Sequence, residues 1–433
     1  MEENKEGAQR LVFGLHVNTK SHNIDQSMNL WEEVRTANQH PSRRSYHSAV
    51  MWNEKMFIYG GQDLREGPQT GMWRIEIGQF DQGEWEELKT QDFGPLCRHS
   101  AIVKNDSMYV FGGTDGTQEF NRIIVFNLNN FSARSILPDN ASCPPPLDSH
   151  TACLYEDGTA AWMIVYGGYA AGERSSNVYT FNLNSEKWKQ AQTSRGPEGR
   201  SNHSAVIYKD HMYVFGGTNE EGEKLSDFWK LDLRTNHWED IKGKGDVPSG
   251  RSGHSAVIFK DVMIVFGGMK DITKETNDMY SYNFESQEWV MFQFEHQIKD
   301  PVSNEQLEEF KKSRISPNKK GDPSPTNKSP LLKKNTTESM SPQKTYTRRN
   351  TDGSSPDGTF IMPKKKKTLY DGPASPIVGR IRAHPPHPRD GHSAVISGNI
   401  MIVFGGDRHQ MPFNDTYVYF LVEQTIKTPL KVN

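Results

Sequence analysis

The chain has 433 residues, of which 34% are hydrophobic and 24% are charged, and its formal net charge is −3. No stretch approaches the roughly 18 apolar residues of a membrane-spanning helix, and the first residues lack the apolar region of a secretory signal. The three cysteines form neither a disulfide framework nor a Cys-x-x-Cys motif. We therefore expect a protein without membrane insertion, located in the cytoplasm, with the nucleus as a further compartment.

The N-terminal region contains two candidate strands. Residues 11–15 read Leu-Val-Phe-Gly-Leu and form a possible extra strand within an extension at 1–27. Residues 29–34 read Asn-Leu-Trp-Glu-Glu-Val, with a tryptophan inside a short strand pattern. The role of this second segment depends on the repeats that follow it.

Six copies of a His-Ser-Ala or His-Thr-Ala triplet, each followed by a Gly-Gly pair, dominate the rest of the chain. The histidines are His47, His99, His150, His203, His254 and His392. Four of the five intervals between them are 51 to 53 residues, a period typical of propeller arrays. Residues that every copy shares are expected to be framework, so specificity is expected between them.

One repeat, starting at Arg251, shows four predicted strands. Residues 254–259 alternate in polarity, 262–266 form an apolar run ended by Gly267-Gly268, and two further short strands cover 277–282 and 288–290. Such a four-stranded sheet gains stability by packing radially against its copies. The Gly pair is interpreted as backbone chemistry, because no copy has a phosphate-binding pattern that opens a helix.

A tryptophan closes most repeats. Trp85, Trp188, Trp238 and Trp289 follow the second glycine by 20 to 24 residues. Burial of one such ring contributes on the order of 2–3 kcal/mol. The second repeat has Ala133 at this place, so its blade is predicted to be the least well anchored.

About 86 residues interrupt the array between the fifth and sixth repeats, because His254 and His392 are 138 residues apart. We place this insert at 295–383, between 28–294 and 384–433. It contains a short helix candidate at 304–310, and its Ser, Pro and Lys content predicts disorder for most of its length. Residues 311–380 contain 16 Lys and Arg against 5 Asp and Glu. Their charge of +11 leaves −14 for the rest of a chain that totals −3.

Two kinds of regulatory motif lie in the insert. Six Ser-Pro pairs are candidate sites for a proline-directed kinase, at Ser316, Ser324, Ser329, Ser341, Ser355 and Ser375. A basic run is a candidate nuclear-import signal, formed by Lys364, Lys365, Lys366 and Lys367. The alternative for the Ser-Pro pairs is that they are ordinary features of a disordered, proline-rich chain. The alternative for the lysine run is that it belongs to a solvated, charge-rich linker. The rest of the chain is acidic and would repel nucleic acid, so only the basic insert is expected to bind such a partner. The insert would also suit acidic microtubule surfaces or RNA.

The sixth repeat has three predicted strands and no closing tryptophan. We expect residues 29–34 to supply its fourth strand, which would hold both ends of the chain in one sheet and protect its edge. Closure by residues 429–432 is the alternative, and it lacks the aromatic residue.

Together, Arg-x-x-His-Ser-Ala, the apolar strand into Gly-Gly and the closing tryptophan resemble the kelch repeat over roughly residues 28–294 and 384–422. The resemblance implies an all-β, six-bladed propeller with the His-Ser strand innermost and the tryptophan strand outermost. Leu96 and Leu147 replace the arginine in repeats two and three.

Kelch relatives with a catalytic metal supply a test for enzyme activity. Their copper or iron sites use a Cys–Tyr crosslink with histidines, or a Glu-x-x-x-Asp-x-x-x-His run, and we find neither pattern here. Six histidines at equivalent places in different blades cannot converge on one metal, so strand capping or inter-blade hydrogen bonding is expected for them. His384, His387 and His409 show no metal-ligand spacing. We expect no catalytic, cofactor or metal residues and no enzyme activity.

Protein binding through loops on a rigid scaffold is the favoured function. Loops after the Gly pairs, at 63–70, 114–119, 169–174, 218–224, 269–275 and 407–412, differ completely between copies. The candidate binding residues are arginines at or near this face: Arg44, Arg98, Arg200, Arg251, Arg389, Arg65, Arg174 and Arg408. Four of these arginines, Arg44, Arg200, Arg251 and Arg389, each precede a repeat histidine by three residues. They would either hold an acidic peptide or brace neighbouring blades, and bracing is favoured.

The order of segments is also similar to the leucine-zipper-like regulators, which join an N-terminal Leu-Val-Phe-Gly segment, kelch blades and a long insert before the last blade. That resemblance implies recruitment of a Ras-like GTPase to a ubiquitin ligase. The printed chain carries no BTB pattern, so such an adaptor would need a second subunit.

Overall fold

The structure is a computed structural model, which describes residues 31–37, 39–77, 83–138, 142–293 and 379–421. Every regular element in these ranges is a β-strand, and none of them contains a helix able to cross a membrane. Residues 11–15, the helix candidate at 304–310 and residues 429–432 lie outside them. The described strands form six sheets of four or five strands around a centre, together with three two-stranded hairpins. This confirms the all-β, six-bladed propeller.

The first strand stands apart from the first blade. It is β1 (Trp31–Arg35). Blade one has the sheet order β2-β3-β6-β7. Its elements are β2 (Ser48–Trp52), β3 (Lys55–Tyr59), the small hairpin β4 (Gln62–Asp63) and β5 (Gly67–Pro68), β6 (Met72–Glu76) and β7 (Trp85–Leu88).

Blades two to four repeat this antiparallel order. Blade two contains β8 (Ser100–Lys104), β9 (Ser107–Phe111), β10 (Ile123–Asn127) and β11 (Ala133–Ile136). Blade three contains β12 (Thr151–Glu156), β13 (Ala161–Tyr166), the hairpin β14 (Tyr169–Ala170) and β15 (Glu173–Arg174), β16 (Val178–Asn182) and β17 (Lys187–Gln190). Blade four contains β18 (Ser204–Tyr208), β19 (His211–Phe215), β20 (Phe228–Asp232) and β21 (His237–Asp240).

Blades five and six depart from the basic pattern. Blade five contains β22 (Lys244–Gly245), β23 (Ser255–Phe259), β24 (Val262–Asp271), β25 (Lys274–Asn283) and β26 (Glu288–Met291). Blade six contains β27 (Gly379–Arg382), β28 (Ser393–Ser397), β29 (Ile400–Phe404), the hairpin β30 (Asp407–Arg408) and β31 (Met411–Pro412), and β32 (Thr416–Phe420). The innermost strands contact one another in a closed ring, β2-β8-β12-β18-β23-β28 and back to β2.

The N-terminal strand completes blade six, as its tryptophan pattern predicted. The order of that sheet is β27-β1-β32-β29-β28, and Trp31 pairs with Tyr419 across the antiparallel ladder. Trp31 is fully buried. Chain ends that are far apart in sequence therefore share one sheet.

Two strand assignments from the sequence need correction. Residues 379–382 lie within the predicted insert, but they form β27, a fifth strand that pairs with the outer edge of β1. In blade five, β24 runs through Gly267 and Gly268 instead of ending there, with register shifts between Phe266 and Gly268 and between Met269 and Asp271. A β-bulge of this kind lets a strand bend without ending, so the expected loop at 269–275 is the tip of a long hairpin.

The outer tryptophans pack between blades. Each contacts the aromatic residue that precedes the Gly pair of the preceding blade, with ring centroids 4.9 to 5.3 Å apart. The pairs are Trp85–Phe404, Trp188–Phe111, Trp238–Tyr166, Trp289–Phe215 and Trp31–Phe266. In blade two, Ala133 stands opposite Phe126, and Phe126 itself reaches Tyr59 of blade one at 5.0 Å.

A ring of histidine contacts joins all six blades near the axis. Each histidine Nε2 lies 2.7 to 2.9 Å from the hydroxyl that follows the histidine of the preceding blade. The pairs are His47–Ser393, His99–Ser48, His150–Ser100, His203–Thr151, His254–Ser204 and His392–Ser255. This confirms the inter-blade alternative for the repeat histidines.

The Gly pair is required by the same histidines. A Cβ on Gly60 would lie 2.9 Å from Cε1 of His99 in the next blade, and a Cβ on Gly61 would lie 2.9 Å from Cβ of His47 in its own blade. Both glycines also have a positive φ, of 62° and 102°, which glycine adopts without strain. The pair is therefore framework.

Candidate functional site

A closed ring of backbone hydrogen bonds surrounds the axis at one end of the propeller. The residue before each histidine donates its N–H to the carbonyl of its counterpart in the preceding blade, at 2.6 to 2.9 Å. The six residues are Tyr46, Arg98, Ser149, Asn202, Gly253 and Gly391. We call this end, together with the hairpins after the Gly pairs, the mouth face.

Side chains of the mouth ring are not equivalent, although its backbone is. The Tyr46 hydroxyl donates a 2.5 Å hydrogen bond to Asp390 Oδ2, and the Arg98 guanidinium lies 5.4 Å from the Tyr46 ring centroid. A Cβ on Gly391 would meet the Tyr46 ring at 2.9 Å, and a Cβ on Gly253 would lie 3.1 Å from Asp390 Oδ2. The two glycines of the ring therefore make room for the Tyr46–Asp390 pair.

Two further carboxylates lie close to this pair. Asp390 and Asp407 form an isolated antiparallel bridge, and the Glu275 side chain, only 4% exposed, binds the His409 ring at 3.2 Å. Burial, with the charges of Asp407 and Glu275, raises the pKa of Asp390 to about 7, although the hydrogen bond from Tyr46 opposes this shift. Burial also raises the pKa of Asp407.

Four of the predicted binding arginines are buried. Arg44, Arg200, Arg251 and Arg389 are 0% to 2% exposed, and Nη1 of each donates to the carbonyl of the first glycine of its blade at 2.7 to 3.1 Å. Three of them also pair with an aspartate: Arg200–Asp227, Arg251–Asp278 and Arg389–Asp415. These contacts join strands of one blade and leave the guanidinium groups no surface for a partner. The geometry therefore favours a bracing role for these arginines, within a blade instead of between neighbouring blades.

Blade one lacks the aspartate that pairs with the buried arginine in blades four, five and six. Gly71 occupies the place of the aspartate, and Arg44 Nη2 donates instead to Ser42 Oγ at 3.0 Å. Burial lowers the pKa of Arg44 to about 10, and the charge of Glu87 opposes this effect only in part. In blades two and three, Leu96 and Leu147 take the place of the arginine, and Arg122 and Asn177 take the place of the aspartate.

The remaining predicted arginines lie at the mouth face with different exposure. Arg65 is exposed, whereas Arg98, Arg174 and Arg408 are half-buried. Arg174 is partly committed, because its Nε donates to Ser201 Oγ at 3.1 Å and its Nη1 lies 3.8 Å from Glu220. Arg65, Arg98 and Arg408 are therefore the arginines of the original set best placed to meet a partner.

Tyr46, Asp390, Asp407 and Glu275 were missed by the sequence reasoning. The signal was present: the two residues before each histidine are the part of the triplet region that changes from blade to blade. Tyr46 and Asp390 are two of these variable residues, whereas Glu275 and Asp407 lie at the ends of the variable loops 269–275 and 407–412.

The channel behind the mouth ring is apolar. It contains a cavity of about 360 Å³ lined by residues of the innermost strands, including Met51, Leu154, Ile207, Ile258 and Ile396. Cys153 also lines it, and burial raises the pKa of its thiol to about 12. A thiol of that kind is held protonated and is a poor nucleophile.

The regulatory motifs cannot be placed. The six Ser-Pro serines and the four lysines from Lys364 to Lys367 lie outside the described residues. Among the residues that are described, no group of three or more His, Cys, Asp or Glu side chains has the arrangement of a metal site.

Comparison with known proteins gives one matching family model. The KLHDC2/KLHL20/DRC7 Kelch-repeats domain matches residues 9–158 and 133–313.

Several relatives match part of this chain at modest identity. The leucine-zipper-like transcriptional regulator 1 homolog of Drosophila melanogaster is 26% identical over 59% of this chain and 27% of its own length. Kelch domain-containing protein 10 of Homo sapiens is 24% identical over 58% of each chain. Kelch domain-containing protein 3 of Bos taurus is 27% identical over 54% of this chain and 63% of its own length. The chain thus spans less than two thirds of each of these relatives.

Proposed function

This chain belongs to the kelch-repeat family, and we propose that its propeller is a non-enzymatic protein-binding scaffold whose mouth face receives the partner. One observation carries the proposal. The repeated histidines, glycines and arginines make contacts within the framework. The residues of the mouth ring and its hairpins vary from blade to blade, although two blades share a glycine in the ring. Variable side chains on a rigid framework are the usual basis of recognition.

Affinity purification from the organism that makes this protein tests the proposal. The tagged full chain is compared with a double variant of the mouth face, Arg65→Glu with Arg408→Glu, and with a matched double variant away from it, Arg134→Glu with Arg234→Glu. Arg134 lies on an outer strand, and Arg234 lies in a turn at the opposite end of blade four. We expect a partner that the control retains and the mouth variant loses by at least tenfold. No partner above background, or loss only in the control, would overturn the proposal.

Phosphorylation of the insert is the proposed means of regulation. Each phosphate would add nearly two negative charges to a segment that carries about +11. The same purification after phosphatase treatment, and with the six Ser-Pro serines replaced by alanine, should change partner recovery in the same direction. Unchanged recovery in both samples would remove this part of the proposal.

A Ras-like GTPase, bound within a ubiquitin-ligase pathway, is the second candidate partner. Support comes from the resemblance in segment order and from relatives named leucine-zipper-like transcriptional regulator 1. Pull-down with a panel of purified Ras-like GTPases tests it, with the Arg65→Glu and Arg408→Glu variant as the control. Equal recovery of every GTPase on both proteins would exclude this candidate.

A nuclear or cytoskeletal role through the basic insert is the third candidate. We propose a cytoplasmic protein whose lysine run permits nuclear import. Replacing Lys364, Lys365, Lys366 and Lys367 by alanine should move a fluorescent fusion from the nucleus to the cytoplasm. A fusion that is never nuclear, or that stays nuclear in the variant, would contradict this role.

A further inference from the structure

Asp390 and Asp407 present two carboxylates on one side of the same short bridge. Each donates its N–H to the carbonyl of the other, at 3.0 and 2.8 Å, so they form a directly opposed antiparallel pair. Side chains of such a pair share a face, with Cβ atoms about 5 Å apart. Like charges in this arrangement destabilise a sheet.

The equivalent bridge in the other five blades contains at most one carboxylate. Those pairs are Ser45–Gln62, Cys97–Thr114, Asp148–Tyr169, Ser201–Thr218 and Ser252–Met269. The opposed acids are therefore a property of blade six alone and not of the repeat. Like charges are normally kept apart in a sheet, so their placement opposite one another at this single bridge indicates a functional role.

The hydrogen bonds at this place leave one buried oxygen without a partner. Asp390 Oδ2 accepts from Tyr46, and Asp407 Oδ1 accepts from the Gln410 N–H at 2.8 Å. Asp407 is 8% exposed, and its Oδ2 has no hydrogen-bond partner among the described residues. A buried carboxylate oxygen in that state costs free energy unless a cation or donor reaches it.

Other charges around the pair add to its negative potential. Glu275 and Asp63 both raise the pKa of Asp407, whereas His409 lowers it. The positive charge of Lys224 in blade four partly offsets the negative charge of Asp390, but the Lys224 ammonium donates a hydrogen bond to Thr218 Oγ1 at 3.0 Å. A guanidinium or ammonium carries several N–H donors, which match the carboxylate oxygens of this pair.

We propose that Asp390 and Asp407 form a recognition site for a basic side chain, arginine or lysine, of the protein partner. Because Asp407 Oδ2 is buried in the unbound protein, a guanidinium or ammonium would bond to it after a rotation of the Asp407 side chain, and would then relieve the repulsion between the two carboxylates. The inference rests on the proposed function, since it names the chemistry of the residue that the mouth face receives. The basic residue is one part of the partner segment, whose acidic groups would meet Arg65 and Arg408 at the same face.

A peptide library tests this chemistry on the full chain. Immobilised hexapeptides, acetylated and amidated, carry arginine, lysine, citrulline or norleucine at one fixed position, with the other positions randomised among uncharged residues. Each is probed with labelled wild-type protein, Asp407→Asn, Asp390→Asn and the control Asp148→Asn. Asp148 occupies the same bridge position in blade three opposite Tyr169. All proteins are also tested with Lys364–367 changed to alanine, so that the chain's own basic run cannot compete.

We expect arginine and lysine peptides to bind at least tenfold more tightly than citrulline and norleucine peptides. Asp407→Asn should remove this difference, and Asp148→Asn should keep it. Asp407→Asn is isosteric and removes a like charge, so it should fold, and thermal unfolding verifies this. Equal binding of charged and uncharged peptides by the wild type, or an undiminished preference in Asp407→Asn, would overturn the inference.

The purified partner separates this inference from the proposed function. If the partner is lost from the Arg65→Glu and Arg408→Glu variant but is fully retained by Asp407→Asn and Asp390→Asn, the mouth binds protein and the basic-residue site is refuted. If no partner is recovered by any protein, the proposed function itself fails.

Discussion

The Tyr46 hydroxyl of blade one donates a hydrogen bond to Oδ2 of Asp390 in blade six, across 344 residues of sequence. The backbone makes the same connection, since the Tyr46 N–H donates to the Gly391 carbonyl at 2.6 Å. Together with β1 in the sheet of blade six, these bonds close the ring at its axis and at its rim. The closure and the candidate binding site therefore share residues.

The raised pKa of Asp390 predicts an unusual dependence of stability on pH. An aspartate titrates near 3.8 when unfolded and at about 7 in the fold, so the folded protein holds a proton that the unfolded chain releases. Its contribution to stability is present below the unfolded pKa and is lost as pH rises towards 7. Burial is the largest cause of the raised pKa of Asp390, with smaller effects from Tyr46, Asp407, Glu275 and Lys224.

Urea unfolding of wild type and Asp390→Asn at pH 5 and pH 8 measures the effect. The wild type should lose stability relative to the variant as pH rises, by at least on the order of 1 kcal/mol, because one pKa unit corresponds to about 1.4 kcal/mol. The same difference between the two proteins at both pH values would contradict the assignment.

The histidine ring predicts loss of stability in mild acid. Burial lowers the pKa of His99 to about 4 and of His150 and His392 to about 3. It also lowers the pKa of the other three histidines well below the usual value. Unfolded histidines bind protons below about pH 6.5, so the urea midpoint should fall between pH 7 and pH 5. Exposed His237→Gln serves as the control and should show the same slope, and a midpoint that does not change would refute the prediction.

Loss of one brace should destabilise the fold strongly. Burial alone would raise the pKa of Asp278, but its bonds from Arg251 and Lys270 lower it overall. Asp278→Asn leaves the Arg251 charge buried with less compensation, which should cost about 3 kcal/mol. Asp240→Asn removes the partner of the exposed Lys242 and should cost less than about 1 kcal/mol. Equal effects in urea unfolding would show that the buried pair is not a brace.

The tryptophan of β1 should contribute more to the free energy of unfolding than a half-buried tryptophan does. Trp31 is fully buried against Phe266 and Tyr419 at 5.3 and 5.0 Å. Trp31→Ala should lower the free energy of unfolding by about 3–5 kcal/mol. Trp162→Ala, at a half-buried tryptophan that donates to Asp157, is the control and should lose clearly less. A Trp31→Ala protein as stable as that control would mean that β1 does not close the ring.

Blade two remains the predicted weak blade. Ala133 buries far less surface than the tryptophans at its place in other blades, so β11 should open more readily. Hydrogen exchange should be roughly tenfold faster in β11 than in β17, β21 and β26, which corresponds to about 1.4 kcal/mol of opening free energy. Equal protection of the four strands would show that Phe126 and its contact with Tyr59 compensate fully.

Much of the propeller could be predicted because its determinants are local and repeated. The apolar run before each Gly pair and the tryptophan of β1 each identified a strand without knowledge of its neighbours. β27 could not be predicted, because a Gly-Arg-Ile-Arg segment becomes a strand only when the free edge of β1 is available to it. The extension of β24 through Gly267 was missed for a similar reason, since pairing with β25 outweighs the usual end of the strand.

The sequence by itself determined the number of blades, the framework residues and the strand that closes the ring, because a regular hydrophobic period specifies each blade from within. Only the tertiary structure decided that the repeated arginines are buried in contacts within their blades and that Tyr46, Asp390, Asp407 and Glu275 lie close together at the mouth face. Closing the ring places the first and last repeats side by side, and no local pattern reports which charges then face each other.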